Sequence, residues 1–173
     1  MGRSSQARDA VKTNRGTIHL QLGARLEDRN LALRAVAEAC KEVTGQPRGP
    51  AWNRFRTQVL SAVGEGFNNV VLHGKGSPRE GSIDMRIRTR PGYIQVELRD
   101  WGPGFDPSTV RPPVIESLPE SGLGVHIMQS FMAMSYRTGR PNLLTLSKRL
   151  DERQGPRAKK RELRPSAASR VGT

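Results

Sequence analysis

Short segments of the chain alternate hydrophobic and polar residues with a period of two. Ile18, Leu20 and Leu22 do so within 17–23, and this period is typical of a half-buried strand. The same alternation in 83–88 and in 94–99, on either side of the turn Arg-Pro-Gly-Tyr, predicts a hairpin. In both strands one face is apolar and the other charged, so we expect a sheet with one solvated face.

Three other stretches carry apolar residues at helical spacing. They run from about Leu26 to Val43, from about Trp52 to Leu72 and from about Leu123 to Ala133. Two further strands are expected near 134–138 and 142–149. The order β-α-α-β-β-loop-α-β-β predicts an α+β fold, a two-layer sandwich with helices packed on one face of a mixed, mainly antiparallel sheet.

Composition and charge limit the classes of protein to consider. The 173 residues suffice for one domain with tails, and the net charge is +13. The segments 1–16 and 151–173 together hold eleven Lys/Arg against four acids, so they carry about half of that charge. They are poor in large apolar residues, and we predict two disordered basic tails around a domain at 17–150. Because the charge is concentrated there, nucleic acid is not expected as the main partner.

Cysteine content and hydropathy indicate the compartment. The single cysteine, Cys40, excludes an internal disulfide framework. No apolar run reaches the roughly 20 residues of a membrane-spanning helix, and the N-terminus has no apolar region typical of a signal peptide. We therefore expect a cytoplasmic protein with no membrane partner. The three histidines show no metal-binding spacing.

Three short segments have the residue types of a chemical site. Each also has an ordinary structural explanation, since an exposed Glu/Asn stripe is usually a solvated helix face and a Gly-x-Gly sequence is usually a tight turn. Their common feature is a carboxylate, an amide or a glycine pair at the end of an element, and they are Glu65 and Asn69; Asp100, Gly102 and Gly104; and Ser121, Gly122 and Gly124.

The order and spacing of the three segments resemble those of a known family. The sequences "EGFNNVVLHG", "DWGPGF" and "SGLGVHIM" are similar to the N, G1 and G2 boxes of the GHKL ATPase superfamily. Within it they look most like the small anti-sigma factor serine/threonine kinases. The resemblance covers roughly residues 17–150 and implies the two-layer fold known as the Bergerat fold.

The resemblance implies ATP and Mg²⁺ as ligands. Asp100 would accept a hydrogen bond from the exocyclic amine of adenine, beside the backbone of Gly102 and Gly104, where a Cβ would obstruct the base. The amide oxygen of Asn69 would bind Mg²⁺, which prefers oxygen ligands. Glu65, one helical turn away, would be the general base. Nucleotide phosphates would meet Ser121, Gly122 and Gly124 at the start of a helix, and 103–121 would be the ATP lid.

The activity implied is that of a protein serine/threonine kinase acting as an anti-sigma factor. Its expected partners are an anti-anti-sigma (STAS) protein as substrate and a sigma factor, and a homodimer is expected by resemblance. Two departures from the family pattern favour an alternative, a catalytically weak module that sequesters a partner in a nucleotide-dependent way. Gly64 and Gly66 flank Glu65, and Glu120 stands where relatives often carry an arginine.

Overall fold

The computed structural model describes residues 11–14, 16–44, 48–73, 82–104 and 123–150. These residues form six strands and three helices. In chain order they are β1 (Val11–Asn14), β2 (Thr17–Gly23), α1 (Leu26–Thr44), α2 (Pro50–His73), β3 (Ser82–Arg90), β4 (Tyr93–Asp100), α3 (Leu123–Phe131), β5 (Ala133–Arg137) and β6 (Asn142–Arg149).

The strands form one sheet in the order β1-β2-β3-β4-β6-β5. All five pairings between these strands are antiparallel, so the parallel pairing that a mixed sheet would contain is not found among the described strands. The α+β class and the layered arrangement are confirmed. β4 lies beside β6 in the sheet although α3 and β5 separate the two strands in sequence.

The strand register explains why one face of the sheet is apolar. Met85 of β3 pairs with Leu20 of β2 and with Leu98 of β4, which in turn pairs with Leu144 of β6. All four side chains are buried. Burying a side chain of this size contributes roughly 1.5–3 kcal/mol to the hydrophobic term, before the entropy cost of folding.

The opposite face of the sheet is polar, as the alternation predicted. Glu97 of β4 is the exception in burial, since its side chain is buried although it lies on that face. Arg88 and Arg99 both form ion pairs with its carboxylate. The ion pairs compensate the charge that burial would otherwise leave without a partner.

The helices cover the apolar face. α1 packs on β2 and β3, α2 on β4 and β6, and α3 on β5, while α2 also contacts both other helices. The buried side of α2 includes Val59, Val63 and Phe67, residues four apart that lie along one side of a helix. The core therefore lies between this helix layer and the sheet.

One part of the predicted N-terminal tail belongs instead to the sheet. Residues 11–14, which we expected to be disordered, form β1 and pair with residues 17–20 of β2. Gly16 has a φ of 68° in the turn between them, a conformation that glycine adopts without steric cost. The predicted C-terminal tail, 151–173, lies outside the described residues.

Candidate functional site

The polar side of α2 meets the beginning of α3. Glu65 and Asn69, one helical turn apart, are half-buried. A Cβ placed on Gly124 would lie 2.9 Å from Oε2 of Glu65 and 3.5 Å from Oδ1 of Asn69. The two oxygens thus lie close to Gly124, and the Glu65 carboxylate can take this position because residue 124 has no side chain. Three residues that the sequence predicted for one site are therefore neighbours.

A second part of the site lies where β4 ends. Oδ1 of Asp100 accepts hydrogen bonds from the backbone N–H of Gly102 and from Nδ2 of Asn142, both at 2.9 Å. Nδ2 of Asn142 also donates to the carbonyl oxygen of Gly102, at 3.0 Å. Asp100 is 6% exposed and Asn142 is fully buried. Donors of the protein itself thus satisfy Oδ1 of Asp100.

Gly104 closes this second part in a conformation that requires glycine. Its φ is 79°, in the left-handed region where a Cβ is unfavourable. A Cβ there would also lie 3.0 Å from Oδ1 of Asn142 and 3.1 Å from the hydroxyl oxygen of Tyr136. The backbone after Asp100 therefore folds closely over β5 and β6.

The two parts lie along the same edge of the helix–sheet interface. A Cβ on Gly66 of α2 would lie 3.3 Å from Leu98 of β4 and 2.9 Å from Leu144 of β6. Leu98 precedes Asp100 by two residues and Leu144 follows Asn142 by two, so each pair lies on one face of its strand. The site is thus a groove between α2, the start of α3 and the ends of β4 and β6.

The chemistry of the groove suits a polyanion with a hard cation. Amide and carboxylate oxygens such as those of Asn69 and Glu65 are ligands that Mg²⁺ prefers. The start of α3 adds backbone N–H groups and the positive end of a helix dipole. Within the described ranges, no group of three or more His, Cys, Asp or Glu could hold a metal ion through protein ligands alone.

Comparison with known proteins identifies the family. The sequence profile of the histidine kinase-like ATPase domain matches residues 23–148. This chain belongs to that family. Every described residue of the groove falls within the matched range, and a histidine kinase-like ATPase domain implies ATP binding. The GHKL resemblance of the three sequence boxes is confirmed.

Individual relatives of this histidine kinase-like ATPase domain are anti-sigma factors. The anti-sigma F factor of Geobacillus kaustophilus is 29% identical over 122 residues, which is 68% of this chain and 80% of the relative. The anti-sigma F factor of Geobacillus stearothermophilus has the same identity and coverage. The anti-sigma branch suggested by the sequence boxes is thereby confirmed.

A solved structure supports the fold. The RsbU and RsbW domains of a Mycobacterium tuberculosis protein align with a TM-score of 0.55 and 16% identity. The alignment covers 78% of this chain and 32% of that one. At this identity the likeness concerns the fold alone.

The two glycines beside Glu65 have structural explanations within this ATPase domain. Both are buried, and α2 continues unbroken through them. A Cβ on Gly64 would lie 2.8 Å from Nη2 of Arg29, and a Cβ on Gly66 would lie 2.9 Å from Leu144. Gly64 therefore accommodates an arginine of α1 and Gly66 the close approach of the sheet.

Asn142 is the residue of the groove that sequence reasoning missed. It begins β6, 42 positions after Asp100, and no box of the sequence includes it. The available signal was an asparagine directly after a proline at the start of an apolar alternating strand, a position usually read as part of a turn. Only the pairing of Asp100 with Asn142 across β4 and β6 reveals its role.

Some predicted site residues lie outside the described part of the chain. Ser121 and Gly122 do, together with Glu120 and positions 105–121 of the predicted lid. In the described part, no helix is both long enough and apolar enough to cross a bilayer.

Proposed function

We propose that the protein is an ATP-dependent serine/threonine kinase that acts as an anti-sigma factor and phosphorylates an anti-anti-sigma (STAS) protein. The observation that carries the proposal is the position of the Glu65 carboxylate beside Gly124, at the start of α3. A base belongs there if the γ-phosphate of ATP meets the N-terminal end of α3. The anti-sigma F factors among the relatives supply the regulatory part of the proposal.

Each residue of the groove receives a role in the proposed reaction. Oδ2 of Asp100 accepts the exocyclic amine of adenine, and Gly102 and Gly104 let the backbone lie close to the base. Asn69 would hold Mg²⁺, which would neutralise charge on the phosphates. Ser121, Gly122 and Gly124 contact the phosphates.

The proposed chemical step is an in-line phosphoryl transfer. Glu65 accepts the proton of a substrate serine or threonine hydroxyl as its oxygen attacks the γ-phosphorus. The bond from that phosphorus to the bridging oxygen of the β-phosphate breaks, and ADP leaves with the electron pair. The products are a phosphorylated partner and ADP, with the hydroxyl proton on Glu65.

The test separates binding from transfer with two variants that preserve side-chain volume. Glu65→Gln removes the base, so ATP should still raise the melting temperature while labelled phosphate no longer reaches a STAS protein. Asp100→Asn replaces an acceptor oxygen near adenine and should reduce the stabilisation by ATP. Arg86→Gln, on the polar face of the sheet, serves as the control. Wild-type protein that transfers no phosphate to any STAS protein encoded near it would refute the kinase proposal.

A second candidate function is a nucleotide-dependent binding module that sequesters its partner without phosphorylating it. Its support is the sequence, because Glu120 would place an acid near the phosphates. Under this alternative, Glu65→Gln would capture a sigma factor as wild-type protein does, and ATP would not be consumed. A pull-down of sigma factor and STAS protein, with ATP, with ADP and without nucleotide, distinguishes the two.

The remaining assignments follow from the proposed function. A sigma factor as partner places the protein in the cytoplasm. A homodimer is proposed by resemblance to the family, and equilibrium sedimentation with and without nucleotide tests it. The basic tails receive no role in the transfer, and nucleic acid is not proposed as the main partner.

A further inference from the structure

The polar face of the sheet carries an excess of arginines. Residues paired across neighbouring strands project from the same side of a sheet, so the register shows which side chains of β2 to β6 lie on the face away from the helices. Two of them are carboxylates, those of Asp84 and Glu97, and six are guanidinium groups, which leaves a net charge of +4. The six are Arg86, Arg88, Arg90, Arg99, Arg137 and Arg149.

Contacts within the face hold three of the six arginines in place. The carboxylate of Glu97 forms ion pairs with both Arg88 and Arg99, and one negative charge cannot neutralise two positive ones. The guanidinium of Arg149 lies 5.5 Å from the centroid of the Tyr93 ring, in a cation–π arrangement. Side chains that are already ordered lose less conformational entropy when a ligand binds.

The arginines are spread over an area and do not surround a pocket. Arg86, Arg88 and Arg90 alternate along β3, and residues two apart on a strand are separated by roughly 7 Å. Arg90, Tyr93 and Arg149 are neighbours in one row across β3, β4 and β6, so positive charge extends roughly 10 Å across the strands as well. An array of this kind suits an anion with many charges along its length.

The other side chains of the face favour nucleic acid over an acidic protein. Hydroxyl and amide side chains stand between the arginines, as at Gln95, Thr145 and Ser147, and such groups commonly contact phosphates together with arginine. Among the described positions of this face on β2 to β6, Leu143 is the one large aliphatic residue. Protein interfaces usually have an apolar core, which this face does not offer.

The face is suited to the backbone of a duplex. Proteins that bind single strands stack the bases on aromatic side chains, whereas the ring of Tyr93 is covered by Arg149. A second copy of this chain would place like charges against each other, which is unfavourable. We propose that this sheet face binds the phosphate backbone of duplex nucleic acid without reading its sequence, as an additional partner and not as the main one.

The proposed surface is separate from the nucleotide groove, the groove proposed to bind ATP. That groove lies between the helices and the sheet, whereas the arginines project from the opposite side of the sheet. Both sites can therefore be occupied at once, and saturating ADP confines a test of duplex binding to the surface outside the groove.

Fluorescence anisotropy of a labelled DNA duplex tests the proposal on the full chain with saturating ADP. The double variant Arg86→Gln/Arg90→Gln removes two charges from the face, and affinity should fall about 10- to 100-fold. The slope of log affinity against log salt concentration should become less negative by about 1.8, because each lost phosphate contact contributes about 0.9. An RNA duplex of the same sequence shows which duplex is the better ligand.

Matched variants separate the face from the general charge of the protein. Arg34→Gln/Arg56→Gln removes two exposed charges from α1 and α2, in the helix layer, and should change neither affinity nor salt slope. Arg137→Gln/Arg149→Gln removes two exposed charges from β5 and β6. It should act as the β3 variant does, and it keeps the test valid if that variant fails to fold.

Three results would overturn the proposal. Equal losses of affinity in the sheet and helix variants would indicate a general charge effect or binding through other basic segments of the chain. Tighter binding of a single strand than of a duplex would indicate recognition of bases. Tighter binding of polyglutamate than of either duplex, weakened by the sheet variants, would identify an acidic protein as the partner.

Discussion

Asn142 orients the carboxylate of Asp100. Its amide and the N–H of Gly102 both donate to Oδ1, so that oxygen is satisfied inside the protein. The proposed function assigns Oδ2 to adenine, and the direction of the carboxylate is fixed because Oδ1 of Asn142 accepts a hydrogen bond from the N–H of Gly139, at 3.1 Å. A buried polar side chain with all three contacts satisfied is rigid, which is what recognition of a single amino group needs.

We predict that Asn142→Asp makes stability dependent on pH. The variant places a second carboxylate against Oδ1 of Asp100, where the amide now lies 2.9 Å away. Two carboxylates at this distance share a proton, and the folded state raises the pKa of the pair. The stability of the variant is then greatest below the unfolded pKa and is lost as pH rises through the raised folded pKa.

Thermal melts from pH 4 to pH 8 measure this effect. The difference in melting temperature between Asn142→Asp and wild type should grow as pH rises. Asn142→Ala is the control, because it removes the same hydrogen bonds, at a cost of roughly 1–3 kcal/mol, without adding a charge. An Asn142→Asp deficit that stays constant with pH would contradict the prediction.

We predict opposite effects of the same substitution at two helical glycines. In Gly124→Ala, the new Cβ would lie 2.9 Å from Oε2 of Glu65, so the proposed base must move. Phosphoryl transfer should fall roughly 10- to 100-fold, as expected for a displacement of about 1 Å. In Gly64→Ala, the new Cβ would lie 2.8 Å from Nη2 of Arg29. We expect the end of this long side chain to shift, so that the helix gains up to about 1 kcal/mol.

Single-turnover transfer of labelled phosphate to a STAS partner and thermal melts together check this pair. Gly64→Ala should keep the wild-type transfer rate and melt at the same temperature or higher. Gly124→Ala should transfer slowly without a lower melting temperature. If both variants lose transfer equally, the loss in Gly124→Ala does not come from a displaced Glu65 carboxylate, and the prediction is contradicted.

At the scale of the element, α2 was predictable and the ends of the strands were not. The apolar stripe through Val59 and Val63 has the period of a helix, and Glu65 and Asn69 share a helix side, so local spacing alone placed them together. The contact between Asp100 and Asn142 depends on the register between β4 and β6. That register depends on nonlocal packing around the inserted α3 and β5, which no local pattern encodes.

Strand β1 shows the same limit at the N-terminus. Val11–Asn14 is four residues long and has one apolar residue, so it lacks the alternation that identified β2. The segment is a strand because it pairs with β2, and this pairing is not predicted by its own sequence. Helix α3 was easier to predict than β1, because the apolar residues of Leu123–Phe131 are regularly spaced. The helix ends two residues before its predicted end.

We predict that β1 stabilises the sheet without contributing to the nucleotide groove. Deleting residues 1–15 removes the edge strand, whereas Asp100 and Asn142 lie on β4 and β6, beyond β3. Loss of one or two net hydrogen bonds costs about 1–2 kcal/mol, which lowers the melting temperature by roughly 2–8 °C. The upward shift caused by ATP should stay unchanged.

Deletion of residues 1–10 is the matched control, because it removes three of the N-terminal basic and acidic residues while leaving β1 in place. It should melt as wild type does. Equal destabilisation by the two deletions would show that the segment before β1, and not the strand, supports the fold.

At the scale of the whole molecule, the rate at which a reagent labels Cys40 is a measure of how often the domain opens. It is the one cysteine of the chain, fully buried on α1. Burial raises its pKa to about 12, against a smaller opposing effect of Arg56. The reactive thiolate is therefore scarce in the folded state, and a thiol reagent should reach Cys40 only when the domain opens. For the same reason, stability contributed by the neutral thiol is lost as pH rises from about 9 to about 12.

We predict that ATP slows the labelling of Cys40 by a reagent such as dithionitrobenzoate at pH 8. A ligand at 100 times its dissociation constant stabilises the folded state by about 2.7 kcal/mol, which corresponds to about 100-fold slower labelling if opening is global. Asp100→Asn should abolish most of this protection, because it alters nucleotide binding. Glu65→Gln should retain the protection, because it alters only the proposed base.

Labelling that ATP slows equally in wild type and in Asp100→Asn would mean that the protection does not come from the groove. Labelling that ATP does not slow at all would mean that α1 opens separately from the rest of the domain, since a local opening that leaves the groove intact gains nothing from the ligand.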